Sequence, residues 1–300
     1  MFLPAPLKPG DAVALVAPSS PVTHHVHIKT AVNFFTTIGL QPQVYDSCTK
    51  QRGHLAGEDA HRATDIMKAF LDSDIKGIFC VRGGNGAARV LDYLNFDVMK
   101  KNPKPFYGYS DITALHTAIN KLAGLATFHT PLACEANFKD ADELTLDLFK
   151  RFIFEPYSPT VIQMPYTPTT LISGRATGEI IGGNLSCMSA LMGTKYEVDT
   201  ADKIFFIEEV GTNLPRCDRM LRGLKMAGKF DKAAAVIFGD FTNCEKPEFS
   251  LSLEDILLDL NIQVPAVHNF PCGHILPTVS LPFGVKCRLD AGAIRLEIIC

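Results

Sequence analysis

The sequence predicts an α/β protein in which a parallel-sheet domain is followed by a smaller α/β domain with mixed strands. Short apolar segments alternate with helical segments through the first half of the 300 residues. Such alternation favours a parallel sheet that is covered by helices on both faces. A proline-containing stretch interrupts the pattern at 151–172, and beyond it short strands return with more antiparallel character.

Each element of the first half has a local signal. Residues 11–17 form a short apolar run that ends at Pro18, and residues 25–38 are helical in pattern and close at Gly39. The other predicted strands are 43–45, 76–81, 105–109 and 125–129, and the other predicted helices are 59–71, 86–94 and 111–122. Parallel sheets bind ligands beyond the carboxyl ends of their strands, so segments that follow a strand are candidate sites.

The stretch 151–172 contains four prolines and few helix formers, which predicts an inter-domain linker. The domains are therefore predicted at 1–150 and 173–300. The second domain contains predicted strands at 178–181, 203–207, 234–238, 285–289 and 293–299, and predicted helices at 185–192, 217–227 and 253–260.

Composition and charge narrow the functional class. The chain is 47% hydrophobic with a formal charge of −3 and has no Lys/Arg run, which argues against nucleic acid or a membrane as a partner. The nine cysteines are odd in number and contain no C-x-x-C pair, which favours reduced thiols over disulfides or zinc. The N-terminus lacks a signal-peptide pattern, so we expect a cytoplasmic protein.

Neither a metal nor a cofactor is predicted. His24, His25 and His27 are close in sequence, but no carboxylate or cysteine lies at ligand spacing. A surface helix start accounts for them better than a metal site.

A serine at the junction of a predicted strand and a predicted helix is a candidate nucleophile. In Gly108-Tyr109-Ser110-Asp111 the serine ends the strand and the helix begins at once. A sharp turn there can present a hydroxyl and aim backbone N–H groups at an oxyanion. Serine is also a common helix N-cap, which is the alternative for Ser110.

A glycine-rich segment follows the predicted strand 76–81 and reads Arg82-Gly83-Gly84-Asn85-Gly86. Glycines allow close approach of the backbone to a ligand, and a helix N-terminus favours an anion. The third glycine of a dinucleotide fingerprint is missing. An oxyanion or carboxylate cradle is therefore at least as good an interpretation as a nucleotide site.

Partners for the serine are found in the second half. Glu208 and Glu209 end an apolar strand, so their side chains point to opposite faces and one can orient a histidine. His274 lies in a loop rigidified by Pro271, Gly273 and Pro277, which suits a general base. His116 and His129 are competing candidates for the base.

Taken together, these motifs resemble the LD-carboxypeptidase family, a group of cytoplasmic serine peptidases that trim murein peptides. The related microcin-immunity peptidases share the pattern. Seven short motifs occur in the family's order across nearly the whole chain. They are Val16-Ala17-Pro18-Ser19, Arg82-Gly83-Gly84-x-Gly86-Ala87-Ala88-Arg89, Gly108-Tyr109-Ser110-Asp111-Ile112-Thr113, Gly182-Gly183-Asn184-Leu185, Ile207-Glu208-Glu209-Val210-Gly211, Cys217-Asp218-Arg219-Met220-Leu221 and Gly273-His274-x-x-Pro277.

The resemblance implies a catalytic triad in which Ser110 is the nucleophile, His274 the base and Glu208 the carboxylate. It implies an oxyanion hole made by the N–H of Asp111 and a glycine N–H, with Gly84 favoured over Gly83. It also implies a Rossmann- or flavodoxin-like N-terminal domain that carries the serine, a C-terminal domain that carries the other two residues, and a homodimer.

The resulting hypothesis is a metal-independent serine peptidase that releases D-alanine from murein tetrapeptide in cell-wall recycling. A microcin-immunity-type amide hydrolase is one alternative, and a two-domain protein that binds a small ligand or nucleotide is another. A free carboxylate suits a guanidinium. The candidates are Arg82, Arg89, Arg216 and Arg219, and substrate contacts are predicted for Arg82, Gly83 and Asn184. For Asn184, a role as N-cap of the predicted helix 185–192 is an equally good interpretation.

Overall fold

A computed structural model describes residues 1–132, 134, 138, 141–155 and 159–299, without the side chains of residues 25 and 26. Residues 156–158 of the predicted linker and Cys300 lie outside the described residues. In the described part of the chain, fourteen strands form two sheets. The mixed α/β class is therefore confirmed.

The first sheet is built from the N-terminal half. Its strands are β1 (Ala12–Val16), β2 (Gln41–Val44), β3 (Ile75–Cys80), β4 (Phe106–Gly108) and β5 (Thr127–His129). They are parallel in the order β2-β1-β3-β4-β5, which is the flavodoxin-like strand order. The chain therefore reverses its winding between β1 and β3, and ligands of such sheets bind at that point.

The helices of this half are α1 (His25–Thr37), α2 (Asp59–Leu71), α3 (Phe96–Lys101), α4 (Thr113–Ala118) and α5 (Glu143–Phe154). Two predicted helices differ from regular α-helices. The predicted helix 86–94 is a 3₁₀ helix at Ala87–Tyr93, and the predicted helix 111–122 consists of a 3₁₀ turn, α4 and a π turn at Ile119–Ala123. Helices α3 and α5 were not predicted.

The second sheet contains the strands β6 (Thr160–Val161), β7 (Thr169–Ile172), β8 (Arg175–Asn184), β9 (Ile204–Val210), β10 (Ala235–Thr242), β11 (Ala266–His268), β13 (Lys286–Asp290) and β14 (Arg295–Ile298). Its order is β6-β14-β13-β8-β9-β10-β11-β7. Strands β8 to β11 are parallel, and the flanking strands are antiparallel. The mixed character predicted for this half is confirmed.

Three helices pack in this half: α6 (Leu185–Ala190), α7 (Leu214–Met226) and α8 (Leu253–Asp259). The strand β12 (Leu281–Phe283) follows β11 in sequence but belongs to the first sheet, where it pairs antiparallel with β5. The stretch predicted as a linker contains the end of α5 together with β6 and β7. The domain boundaries at 150 and 173 stay a prediction.

One apolar cluster contains side chains from both sheets. Phe128 of β5, Phe206 of β9 and Phe283 of β12 are fully buried in the same cluster. Burying such aromatic rings contributes on the order of 2 kcal/mol each, so this cluster fixes the carboxyl ends of β4 and β9 relative to each other. Within the described residues, no helix has both the length and the apolar character needed to cross a bilayer.

Candidate active site

Ser110 sits on a strained turn directly after β4. Its φ is +63°, a left-handed conformation that is uncommon for residues other than glycine and often marks an active site. It is the first residue of the 3₁₀ turn Ser110–Ile112, whose N-cap is Tyr109, and the N-cap of α4 is Ile112. The geometry is that of a nucleophile elbow, and the N-cap alternative is not observed.

His274 and Glu208 form a direct pair. His274 Nδ1 lies 2.7 Å from Glu208 Oε2. The Glu208 side chain is fully buried, whereas 15% of the His274 side chain is exposed. A buried carboxylate at Nδ1 keeps the proton on that nitrogen, so Nε2 is the ring nitrogen that can accept a proton.

The serine turn lies against this pair. The ring of Tyr109, the residue before Ser110, packs on the His274 ring with centroids 4.6 Å apart. On the other side of the turn, Thr113 Oγ1 accepts a hydrogen bond of 2.9 Å from the N–H of Asn184. Asn184 is paired with Glu208 across β8 and β9. The turn of the first sheet is thus joined to the Glu208 strand of the second.

The close contact between α4 and β8 depends on Gly183. A Cβ atom at this position would lie 2.4 Å from Thr113 Oγ1, closer than real Cβ contacts allow. Gly183 also has a φ of +132°, which side-chain-bearing residues rarely adopt. Glycine is therefore required here for α4 to approach the strand.

Glu209 points away from His274, as strand alternation predicts. Its carboxylate accepts hydrogen bonds from the Ser186 N–H at 2.8 Å and the Ser186 hydroxyl at 2.5 Å, and from Asn184 Nδ2 at 3.1 Å. Asn184 Oδ1 accepts from the Cys187 N–H at 3.2 Å. Both side chains therefore cap the N-terminus of α6, and only Glu208 is available to the histidine.

The glycine loop lies over the serine. A Cβ atom at Gly83 would lie 2.9 Å from Ser110 Cβ and 3.1 Å from Ser110 Oγ, so Gly83 approaches the Ser110 side chain more closely than a residue with a side chain could. Gly84 instead lies against Ser20, whose Oγ would be 2.3 Å from a Cβ atom there. Ser20 Oγ also accepts from the Asn85 N–H at 3.0 Å, which holds the loop in place.

The Asp111 side chain is an anchor. Its Oδ2 accepts hydrogen bonds from the Ser19 hydroxyl and, at 2.7 Å, from the Ala87 N–H. Burial raises the pKa of the Asp111 carboxyl. These contacts tie the serine turn to the loops that follow β1 and β3. They also fix the direction of the Asp111 N–H, which belongs to the first turn of a helix where N–H groups lack intrahelical partners.

The two competing histidines are unsuited to act as the base. His116 and His129 are both buried, and His116 Nε2 lies 2.8 Å from the Gly108 carbonyl. Burial lowers the pKa of His116 to about 4 and that of His129 well below its usual range. Both rings instead pack on Phe283, which belongs to the buried core.

A cavity of about 310 Å³ opens beside Ser110. The predicted site residues Gly84, Asp111 and Asn184 line it, together with Arg89 and Glu209. Arg82 points elsewhere, because its guanidinium donates to the Pro21 carbonyl. Arg216 and Arg219 are exposed on α7 and do not line this cavity.

The sequence did not indicate two residues that contribute to the site, Cys187 and Arg62. Cys187 lines the cavity, and its thiol lies 3.7 Å from Asp111 Oδ1. The fully buried Arg62 bonds to the carbonyls of Pro18 and Gly86 and so supports two site loops. No local pattern distinguishes Arg62 from a surface arginine of α2, because its partners lie 24 and 44 residues away.

A metal site is not evident in the part of the chain that the structure describes, where no cluster of three or more His, Cys, Asp or Glu side chains could hold an ion. His24 and His27 lie at the start of α1 with ring centroids 5.7 Å apart.

Comparisons with known proteins identify the family and related structures. The model of the LD-carboxypeptidase N-terminal domain matches residues 13–130, and that of the LD-carboxypeptidase C-terminal domain matches residues 177–289. The probable murein peptide carboxypeptidase of Bacillus subtilis (strain 168) is 39% identical, over 96% of this chain and 92% of its own length. The microcin C7 self-immunity protein MccF of Escherichia coli is 28% identical, over 96% and 93%. A crystal structure of muramoyltetrapeptide carboxypeptidase from Oxalobacter formigenes has a TM-score of 0.86 at 26% identity, over 96% and 99%.

Proposed function

The chain belongs to the LD-carboxypeptidase family and is a serine-type carboxypeptidase, and from that premise we propose that it releases the C-terminal D-alanine of murein tetrapeptide. The observation that carries the proposal is the 2.7 Å pair of His274 and Glu208 beside the strained Ser110 turn. The murein substrate is supported by the relatives from Bacillus subtilis and Oxalobacter formigenes, whose names refer to murein peptides.

In the proposed mechanism His274 Nε2 takes the proton of the Ser110 hydroxyl as the oxygen attacks the carbonyl of the penultimate L-centre. Glu208 keeps the other ring proton on Nδ1 and stabilises the imidazolium that forms. The tetrahedral intermediate collapses when His274 returns its proton to the leaving D-alanine amine. Water, activated by the same histidine, then hydrolyses the acyl-enzyme.

The oxyanion is proposed to bind two backbone N–H groups, one from Asp111 and one from the glycine loop. The close approach of Gly83 to the Ser110 side chain supports the N–H of Gly83 or that of Gly84, the next residue, as the second donor. Losing one such donor typically costs about 10²–10³ in kcat.

The test is release of D-alanine from a synthetic tetrapeptide whose scissile bond has L then D configuration. We expect wild-type enzyme to cleave it and Ser110→Ala to lose activity. A matched peptide ending in L-alanine controls for stereochemistry. Full activity of Ser110→Ala would contradict the proposal.

A second candidate is favoured by the relationship to MccF, a self-immunity protein for microcin C7. The same triad would then hydrolyse an amide bond in an antibiotic conjugate. Parallel assays with the tetrapeptide and with microcin C7 separate the two functions by the ratio of their kcat/KM values.

The proposal also includes a role in cell-wall recycling in the cytoplasm, and a homodimer. The eight cysteines in the described part of the chain are free thiols, which suits a reducing compartment. Light scattering coupled to gel filtration tests the dimer, and fractionation of the source cells tests the location.

A further inference from the structure

The cavity beside Ser110 has one cationic side chain among its described lining residues, that of Arg89. This side chain is 50% exposed, so it can be reached by a ligand in the cavity. From sequence, Arg89 was one of four arginines that could bind the free carboxylate of a peptide. The other three, Arg82, Arg216 and Arg219, do not line this cavity.

Arg89 is held in one orientation by Asp59. Arg89 Nε donates to the two oxygens of Asp59 at 3.0 and 3.1 Å, and Nη2 donates to Oδ2 at 2.7 Å. The Nη1 group makes no hydrogen bond among the described residues. It therefore keeps two N–H donors for a ligand, in the planar geometry that suits a carboxylate.

The charge on this cluster is not cancelled internally. Asp59 is also ion-paired with Arg62, whose side chain is fully buried. One carboxylate is thus shared by two guanidinium groups, so these three side chains together carry one net positive charge, while the Asp111 and Glu209 carboxylates line the same cavity. An anion near Arg89 is favoured by this charge.

The carboxylates that line the same cavity are already occupied. Asp111 accepts from Ser19 and Ala87, and Glu209 accepts from Asn184 and Ser186. Neither makes an ion pair with Arg89 in the described structure. The free face of the Arg89 guanidinium is therefore open to an anion supplied by the substrate.

We propose that Arg89, oriented by Asp59, binds the free α-carboxylate at the end of the peptide substrate. This inference rests on the proposed carboxypeptidase function and adds the group that recognises the peptide terminus. Arg89 is then a specificity residue, and Asp59 is a positioning residue that acts through it.

The test compares two substrates in each variant: the tetrapeptide ending in free D-alanine and the same peptide ending in D-alanine carboxamide. The ratio of their kcat/KM values is independent of the fraction of folded enzyme. A charge-assisted hydrogen bond is worth enough to change a rate roughly 10- to 100-fold. We expect Arg89→Ala to lower kcat/KM for the acid by this factor and to leave the amide nearly unchanged.

Arg175→Ala is the matched control. Arg175 makes a similar exposed ion pair, with Nε 2.6 Å from Asp290 Oδ2, but it does not line the cavity. We expect the wild-type ratio of acid to amide in this variant. Asp59→Asn should shift the ratio in the same direction as Arg89→Ala, since the guanidinium loses its support.

An unchanged ratio in Arg89→Ala, with both substrates slowed equally, would overturn the proposal and assign the Arg89–Asp59 pair to stability alone. That outcome is separate from failure of the proposed function, in which wild-type enzyme would release neither D-alanine from the acid peptide nor D-alaninamide from the amide peptide.

Discussion

Replacing Glu208 by glutamine removes a charge from the site with almost no change in volume. Glu208 is fully buried, and its Oε2 accepts from His274 Nδ1 at 2.7 Å. A glutamine amide can instead donate to Nδ1. That donation selects the tautomer with its proton on Nε2, which cannot accept the serine proton.

The loss of this charge determines how far kcat falls. A carboxylate and an imidazolium with charge centres about 4 Å apart attract by about 4 kcal/mol at an effective dielectric constant of about 20. This attraction exists only once His274 has taken the proton, so it lowers the barrier and not the ground state. A loss of this size corresponds to roughly 10³-fold in kcat, and the wrong tautomer can bring it to about 10⁴-fold.

The assay is kcat for D-alanine release by wild-type, Glu208→Gln and Glu209→Gln enzymes. Glu209→Gln weakens the cap of α6 and should lower thermal stability by about 1 kcal/mol, while the rate falls far less than in Glu208→Gln. Glu297→Gln, on β14 and away from the cavity, is the control for a remote carboxylate. A Glu208→Gln enzyme within tenfold of wild type would refute the triad argument.

Three further predictions follow from the same geometry. Ser110→Gly should be inactive like Ser110→Ala but about 1 kcal/mol more stable than it, because glycine relieves the φ of +63° at this position; equal melting temperatures would contradict the strain. Gly83→Ala should lower kcat by a factor of about 10², because the alanine Cβ would lie 2.9 Å from Ser110 Cβ and would displace the Ser110 side chain. A wild-type kcat would contradict this and show that the glycine loop moves to accommodate the methyl group. The free energy of unfolding should fall as the pH drops from 6.5 to about 4, because burial lowers the pKa of His116 to about 4 and only the unfolded chain binds the proton in that window. In urea titrations, His116→Gln should reduce this loss of stability by up to about 3 kcal/mol. A loss in the variant identical to that of the wild type would contradict the assignment to His116.

The sequence was sufficient to predict the α/β class and the residues of the Ser110 turn, because both depend on short-range patterns. A strand that ends at Ser110 and a helix that begins there are visible in eight consecutive residues. The alternation of side chains along β9 likewise predicted that Glu208 and Glu209 would face opposite ways, as they do.

Other features depend on contacts between distant segments and could not be predicted in this way. Strand β12 pairs with β5 although about 150 residues separate them. The orientation of Arg89 depends on Asp59, 30 residues earlier, so the sequence could not distinguish Arg89 from the other three candidate arginines. Helix α5 was missed because residues 143–150 were assigned to no element and residues 151–154 to the proline-containing linker.

The most direct test of the central claim is detection of the acyl-enzyme on Ser110. Rapid quenching of the enzyme with excess tetrapeptide, followed by mass spectrometry of the digested protein, should show the peptide acyl group, without its D-alanine, on the fragment that contains Ser110. His274→Ala should fail to form it. Steady release of D-alanine with no acylated Ser110, or with the acyl group on another residue, would contradict the account.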